Sequence, residues 1–233
     1  ETAPAQPERS RRHLTDEQLT HLVSRAVDES ASVARTLAGG KPDYSFRFGA
    51  TADLHRSSGA DTGGLLHRMR ANDPEHLLDA LTQLVQRHES LRGRIRGDQF
   101  EVLAADEFES LPAMLTPLDL RRVAAEQVEE CVARIAHELQ VEPFIDSLLW
   151  RCALLRDGDD SYWVVGAFHH AVFDAFSAGI IREELRRLLA GEQLPAAQPF
   201  SEFLEHLGVA ENWDEELANF DYRSWLDNNG ALT

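Results

Sequence analysis

The stretch Trp163-Val164-Val165-Gly166-Ala167-Phe168-His169-His170-Ala171-Val172-Phe173-Asp174-Ala175-Phe176-Ser177 decides how this chain is read. From Tyr162 to Phe168 it is an apolar run of strand length, and it ends on two histidines, His169 and His170. An aspartate follows at Asp174. From Ser177 the period changes. Ile180, Ile181, Leu185, Leu188 and Leu189 recur at helical spacing, with Gly191 as the stop and Ser177 as the cap of the helix. The order is strand, tight loop, helix, and His170 and Asp174 are delivered at the strand's carboxyl end. So apolar a strand is buried on both faces, which places its histidines in a lined cavity or tunnel. Polar groups exposed on a loop and held by a rigid scaffold are where chemistry concentrates.

Working outward, residues 148–155 form the preceding strand, joined to residues 161–168 through the turn Asp157-Gly158-Asp159-Asp160. Before it lies a helix over 124–139, with Val128, Cys131, Val132, Ile135 and Leu139 inward and Pro143 beyond its end. Asp73-Pro74 opens another helix, Pro taking a favoured first position, and Leu77, Leu78, Leu81, Leu84 and Val85 make its stripe. That helix runs into Arg87-His88-Glu89-Ser90-Leu91-Arg92. Two short strands, 91–96 and 99–103, then fold back at Gly97-Asp98 as a hairpin. The first helix begins at a capping box, Thr15 with Gln18, and Leu14 with Leu19 makes the hydrophobic staple. Its apolar face runs through Leu19, Leu22, Val23, Ala26, Val27, Ala34 and Leu37 until Gly39-Gly40. Residues 44–56 are expected as a strand opening into a loop, 57–64 as a Gly/Ser/Asp loop, and 215–226 as a last helix. Residues 1–13 are rich in Pro and charge and are expected as a mobile lead-in, while 227–233 have the composition of a linker. Helices interleaved with strands give an α/β fold with a mixed sheet.

The chain has 233 residues, room for one substantial core or two small ones. Its formal net charge of −17 argues against nucleic acid or an anionic membrane as a partner. No apolar run approaches the ~20 residues that a membrane span needs, and no signal-peptide pattern opens the chain. The two cysteines, Cys131 and Cys152, read as small buried hydrophobes in a reducing compartment, so a cytoplasmic location is expected. Neither they nor the histidines stand at metal-ligand spacing. His55, His67 and His76 have polar sequence neighbours and read as surface residues.

His169-His170-x-x-x-Asp174 resembles the HHxxxDG signature of the chloramphenicol-acetyltransferase-like superfamily. Its members include nonribosomal-peptide condensation domains, polyketide-associated acyltransferases and wax-ester synthases. Arg87-His88-Glu89-Ser90-Leu91-Arg92 resembles the RHExLR motif that precedes the histidines in condensation domains. The resemblance runs from about Pro74 to Leu226. It implies a chloramphenicol-acetyltransferase-like lobe, a mixed β-sheet flanked by helices, over residues 14–226, with 227–233 starting an inter-lobe linker. The family's enzymes have two such lobes, so a second, carboxyl-terminal lobe is implied as a partner, together with an acyl or peptidyl carrier protein. No tightly bound cofactor is implied; the acyl group would arrive as a thioester on phosphopantetheine or coenzyme A.

Amide or ester formation from a thioester needs an amine or hydroxyl deprotonated as it attacks the carbonyl. A histidine suits that task because its unperturbed pKa of about 6.5 is close to working pH. The resemblance makes His170 the general base. It gives Asp174 a structural role as a buried carboxylate paired with an arginine, with Arg92, Arg94 or one from the second lobe as candidates. His169 is expected to pack or hydrogen-bond, and Arg87 and Arg92 to hold carboxylates at a helix end and strand start. Ala175 stands where the family has glycine, which implies either an ordinary φ or a tolerated strain. Three classes of function follow: a carrier-dependent acyltransferase of condensation type, a catalytically silent docking relative, and a coenzyme-A-dependent small-molecule acetyltransferase.

Overall fold

The computed structural model describes residues 11–47, 62–97 and 99–202. The chain divides into two compact units, Glu1–Ala197 and Gln198–Thr233. In the second, residues 200–202 are helical; the expected helix at 215–226, the linker at 227–233 and the first ten residues lie outside the described residues. All that follows concerns the first unit.

Its elements are α1 (Asp16–Leu37), β1 (Pro42–Arg47), β2 (Thr62–Arg70), α2 (Pro74–Arg87), β3 (Gly93–Arg96), β4 (Gln99–Leu103), β5 (Leu118–Asp119), α3 (Ala125–Val141), β6 (Trp150–Arg156), β7 (Ser161–His169) and α4 (Ala175–Leu189). Their starts follow local chemistry. Thr15 and Gln18 form the reciprocal capping box of α1, and Asp73 caps α2 ahead of Pro74. Asp174 caps α4. Gly191, at φ 75°, ends the last helix.

A four-stranded sheet has the order β2-β7-β6-β5, antiparallel except for the parallel β5–β6 pair. The sheet is therefore mixed, as the interleaved pattern predicts. A second sheet, β1-β4-β3, is antiparallel throughout. Alternate residues of the two central strands feed two separate cores. Trp150, Cys152 and Leu154 of β6 with Tyr162, Val164 and Phe168 of β7 meet α2 and the buried face of α4. Ala153 and Leu155 with Val165 and Ala167 meet α3 and the first half of α1. Burial on both faces is what the unbroken apolar run demanded. The two cysteines lie one in each core, and burial pushes the thiols of Cys131 and Cys152 up to about 11 and about 12.

Three expectations are corrected. Residues 62–64, taken into a loop, open β2, and residues 65–70 continue it. Two adjacent glycines suggest a loop, yet both lie in the strand, and Gly63 comes so close to the rings of His170 and Phe173 that a Cβ there would crowd them. α4 starts at Ala175 rather than Ser177, with Asp174 and not Ser177 as its cap. Ile180, placed in the inward stripe, is 52% exposed, and only Ile181 and Leu185 of α4 are fully buried.

Candidate active site

His169 is the last residue of β7 and His170 begins the turn into α4. The two neighbours face different surroundings. His169 is 8% exposed. Its ring lies edge-on to Phe144, at 5.9 Å and 79°, and its Nδ1 accepts from the backbone N–H of Ala171 at 3.1 Å. Behind Phe144 is Arg151, whose guanidinium sits 4.0 Å from the ring centroid. Arg151 is only 2% exposed and donates to the carbonyls of Glu142 and Pro143, each at 3.0 Å. It thus closes the carboxyl end of α3, where a cation and a donor are both favourable. Burial pulls its pKa down to about 10.

His170 is half-buried. Its Nδ1 lies 2.9 Å from the carbonyl oxygen of Phe173. A carbonyl can only accept, so Nδ1 carries a proton, and in the neutral ring the lone pair is on Nε2. That tautomer is the one a general base needs. Phe173 is fixed in turn by stacking on Phe168, at 4.1 Å and 11°. Gly63 of β2 also lies beside the ring, where a Cβ would come within 3.1 Å of both the His170 ring and the Phe173 ring.

Asp174 is exposed and accepts from the backbone N–H and the hydroxyl of Ser177, each at 2.8 Å. Among the described residues Asp174 is thus exposed, not buried as expected, and it caps a helix with neither Arg92 nor Arg94 beside it. The candidate arginines are committed elsewhere. Arg92 donates to the Leu103 carbonyl, while Arg94 pairs with Glu101 at 2.6 Å and donates to the carbonyls of Ala38 and Gly40. Ala175 has an ordinary φ, because Asp146 is the only non-glycine with positive φ among the described residues. The absence of glycine there costs the backbone nothing.

The carboxylate of α4 paired with an arginine of another helix is Glu184, ten residues beyond Asp174 and mostly buried. Arg87 donates to it through Nε at 3.0 Å and Nη2 at 3.2 Å, and His88 Nε2 approaches at 2.6 Å. Arg87 also donates to the Pro195 carbonyl. Burial alone would raise the Glu184 pKa, but the hydrogen bonds and charges of Arg87 and His88 outweigh it and hold it below the ordinary value. The end of α2 is thereby tied to the helix that carries the histidine turn. Neither Glu184 nor Gly63 stands out in sequence: the partners of Glu184 are 97 and 96 residues away, and a glycine's contact is invisible without the fold. His67 is also not a plain surface residue. It is partly buried, and burial followed by the charge of Arg182 lowers its pKa. His55 lies outside the described residues, and His76 is partly buried. No cluster of His, Cys, Asp or Glu able to hold a metal occurs among the described residues, and none of their helices is long and apolar enough to cross a membrane.

Residues 58–218 match the profile of the condensation domain, a span that includes both histidines, Asp174 and the Arg87–Arg92 segment. The chain belongs to the condensation-domain family. Condensation domains of nonribosomal-peptide and polyketide-type synthetases support a condensation-type acyl transfer for the family as a whole. The chain is 38% identical over 117 residues to phosphinothricin tripeptide synthetase PhsC of Streptomyces viridochromogenes, covering 49% of this chain and 11% of that protein. It is 33% identical over 124 residues to surfactin synthase subunit 1 of Bacillus subtilis, covering 52% of this chain and 3% of that one. Among solved structures, a condensation domain from the enacyloxin polyketide synthase matches with a TM-score of 0.57 at 21% identity, over 94% of this chain and 46% of that chain. The first condensation domain of the calcium-dependent antibiotic synthetase matches with a TM-score of 0.53 at 23% identity, over 66% of this chain and 40% of that one. These likenesses establish the chloramphenicol-acetyltransferase-like fold. The chain spans less than half of either solved chain and a small fraction of either synthetase.

Proposed function

We propose that this chain is the amino-terminal lobe of a condensation-type acyltransferase that moves an acyl group from a carrier-bound phosphopantetheine thioester to an amine or hydroxyl. His170 is the general base. The observation that carries this reading is the hydrogen bond from His170 Nδ1 to the Phe173 carbonyl, which sets the neutral-ring tautomer with its lone pair on Nε2. The nucleophile attacks the thioester carbonyl as its proton passes to Nε2. The tetrahedral intermediate then collapses, the C–S bond breaks, and the proton returns to the leaving pantetheine thiol. A placed general base of this kind is typically worth ~10² to 10⁴ in rate.

Two further parts of the reading concern partners. A carrier protein delivers the donor, as the family's place in synthetases suggests. Coenzyme A remains an alternative thioester, which family membership makes the weaker choice. A second lobe covers His170, a reading supported by the share of the solved relatives that this chain spans. It is also supported by the exposure of Ile180 on the second turn of α4, 52%. Surfaces of that kind beside a reactive group are suited to a protein partner.

One observation favours a second reading, a silent docking relative: Asp174 caps a helix and meets no arginine among the described residues. The two separate in one experiment. The complete protein carrying this chain is given an acyl-loaded carrier protein and candidate amine and alcohol acceptors, and product is followed by mass spectrometry. Product formation by the complete protein, and none by the 233-residue chain alone, is expected. Carrier binding without turnover under any acceptor favours the silent relative.

A further inference from the structure

β2 meets the histidine turn with bare backbone. Gly63 pairs in register with Phe168, and Thr62 pairs with His169, so the amino end of β2 runs alongside the turn. A Cβ added at Gly63 would lie 3.1 Å from His170 Cε1, 3.1 Å from Phe173 Cδ1 and 3.2 Å from Phe173 Cε1. Contacts that short require the neighbours to give by a few tenths of an ångström. The glycine is not there for its backbone freedom, since only Gly97 and Gly191 have positive φ among the described glycines. It is there because two rings come too close for a side chain.

Those two rings belong to the residues at either end of the hydrogen bond that sets the His170 tautomer. Phe173 is held by its stack on Phe168. A side chain at Gly63 would therefore press on the imidazole and on the ring that anchors its hydrogen-bond partner together. Cε1 lies between the two ring nitrogens, so pressure on it displaces Nδ1 and Nε2 together. The next residue supplies a contrast. A Cβ on Gly64 would meet the amide end of Gln140, with Nε2 at 2.8 Å. That is the far end of a flexible side chain, and it can swing aside.

We propose that Gly63 is a positioning residue for acyl transfer: its missing side chain allows β2 to lie against the His170 ring and hold Nδ1 on the Phe173 carbonyl and Nε2 toward the substrate. This rests on the reading of His170 as the base. Misplacing a reacting group by a fraction of an ångström is costly because the chemistry samples only near-attack geometries.

The test compares Gly63→Ala, Gly64→Ala and His170→Ala in the complete protein with an acyl-loaded carrier, at a temperature where circular dichroism reports all three folded. Gly63→Ala is expected to lower kcat about tenfold or more with KM within about twofold, and to change the pH profile of kcat. Gly64→Ala is expected to stay within about twofold of the parent in both. A parental kcat in Gly63→Ala overturns the proposal. Equal losses in Gly63→Ala and Gly64→Ala, accompanied by lower melting temperatures, also overturn it, because they make the pair a structural feature of the strand. Parental transfer by His170→Ala removes the base assignment itself, whereas an inactive His170→Ala beside a normal Gly63→Ala sinks only the positioning role.

Discussion

The two ends of α4 carry its two most consequential carboxylates, and they do opposite jobs. Asp174, at the front, is exposed and bonds only within its own first turn, to Ser177. Glu184, nearer the back, has 15% of its side chain exposed and is gripped by Arg87 and His88 from α2. The resemblance to the family assigned the buried, ion-paired role to Asp174. Among the described residues the ion pair belongs to Glu184, and the signature aspartate caps the turn beside His170. A carboxylate's importance to the fold is set by what its removal leaves stranded, not by its proximity to the reacting histidine.

The largest effect is expected at the buried end. Glu184→Ala leaves a mostly buried guanidinium and His88 without their acceptor, and about 2 to 3 kcal/mol of stability should be lost, somewhat below the range for fully buried pairs. Denaturant titration of the parent and variant measures it; a loss under about 0.5 kcal/mol would make this pair no better than a surface one. The acid limb provides a second reading. The folded pKa of Glu184 lies below its ordinary value of 4.5, so its contribution is fully present above that ordinary value and is lost as pH falls through the lower folded one. Glu184→Gln should therefore flatten the acid side of the stability curve relative to the parent.

At the exposed end, Asp174→Ala should cost about 1 kcal/mol, the usual worth of a helix cap. Asp174→Ser or Asp174→Asn should recover most of it, since either side chain can accept from the Ser177 N–H. A loss of about 3 to 5 kcal/mol, not recovered by Asn, would instead mean that Asp174 neutralises a buried arginine in the folded protein. The smallest effect is expected next door. Ala175→Gly restores the residue common at this position in the family's signature, but Ala175 already has an ordinary φ. The variant should lose no more than about 0.5 to 1 kcal/mol, through helix propensity, and a gain in thermal stability would show that Ala175 is strained after all.

What was legible in the sequence was whatever is written at short range. The capping box of α1, the Asp73-Pro74 start of α2 and the apolar stripes of α2 and α3 use neighbours three or four residues apart, and the elements lie where those signals put them. The double-sided burial of β7 followed from its unbroken run. β2 was missed because Gly63 and Gly64 read as a loop and because an edge strand with Leu66 half-exposed carries only a weak alternation. The site shows the same division. His170 at the end of a strand could be read directly, whereas the Phe173 carbonyl, the Gly63 contact and the Glu184 clasp exist only once distant segments meet. Asp174, three residues before Ser177, has the spacing of a helix cap, and its contacts in the first turn of α4 follow that spacing.

The role of His170 as the base is tested most directly at the residue itself. The direct measurement is single-turnover acyl transfer by the complete protein and its His170→Ala variant, from the same acyl-loaded carrier, with melting temperature recorded alongside. A fall of about 10² to 10⁴ in rate with an unchanged melting temperature is expected, because a general base acts only in the transition state. Transfer by His170→Ala within a few-fold of the parent would contradict it and remove His170 from the chemistry.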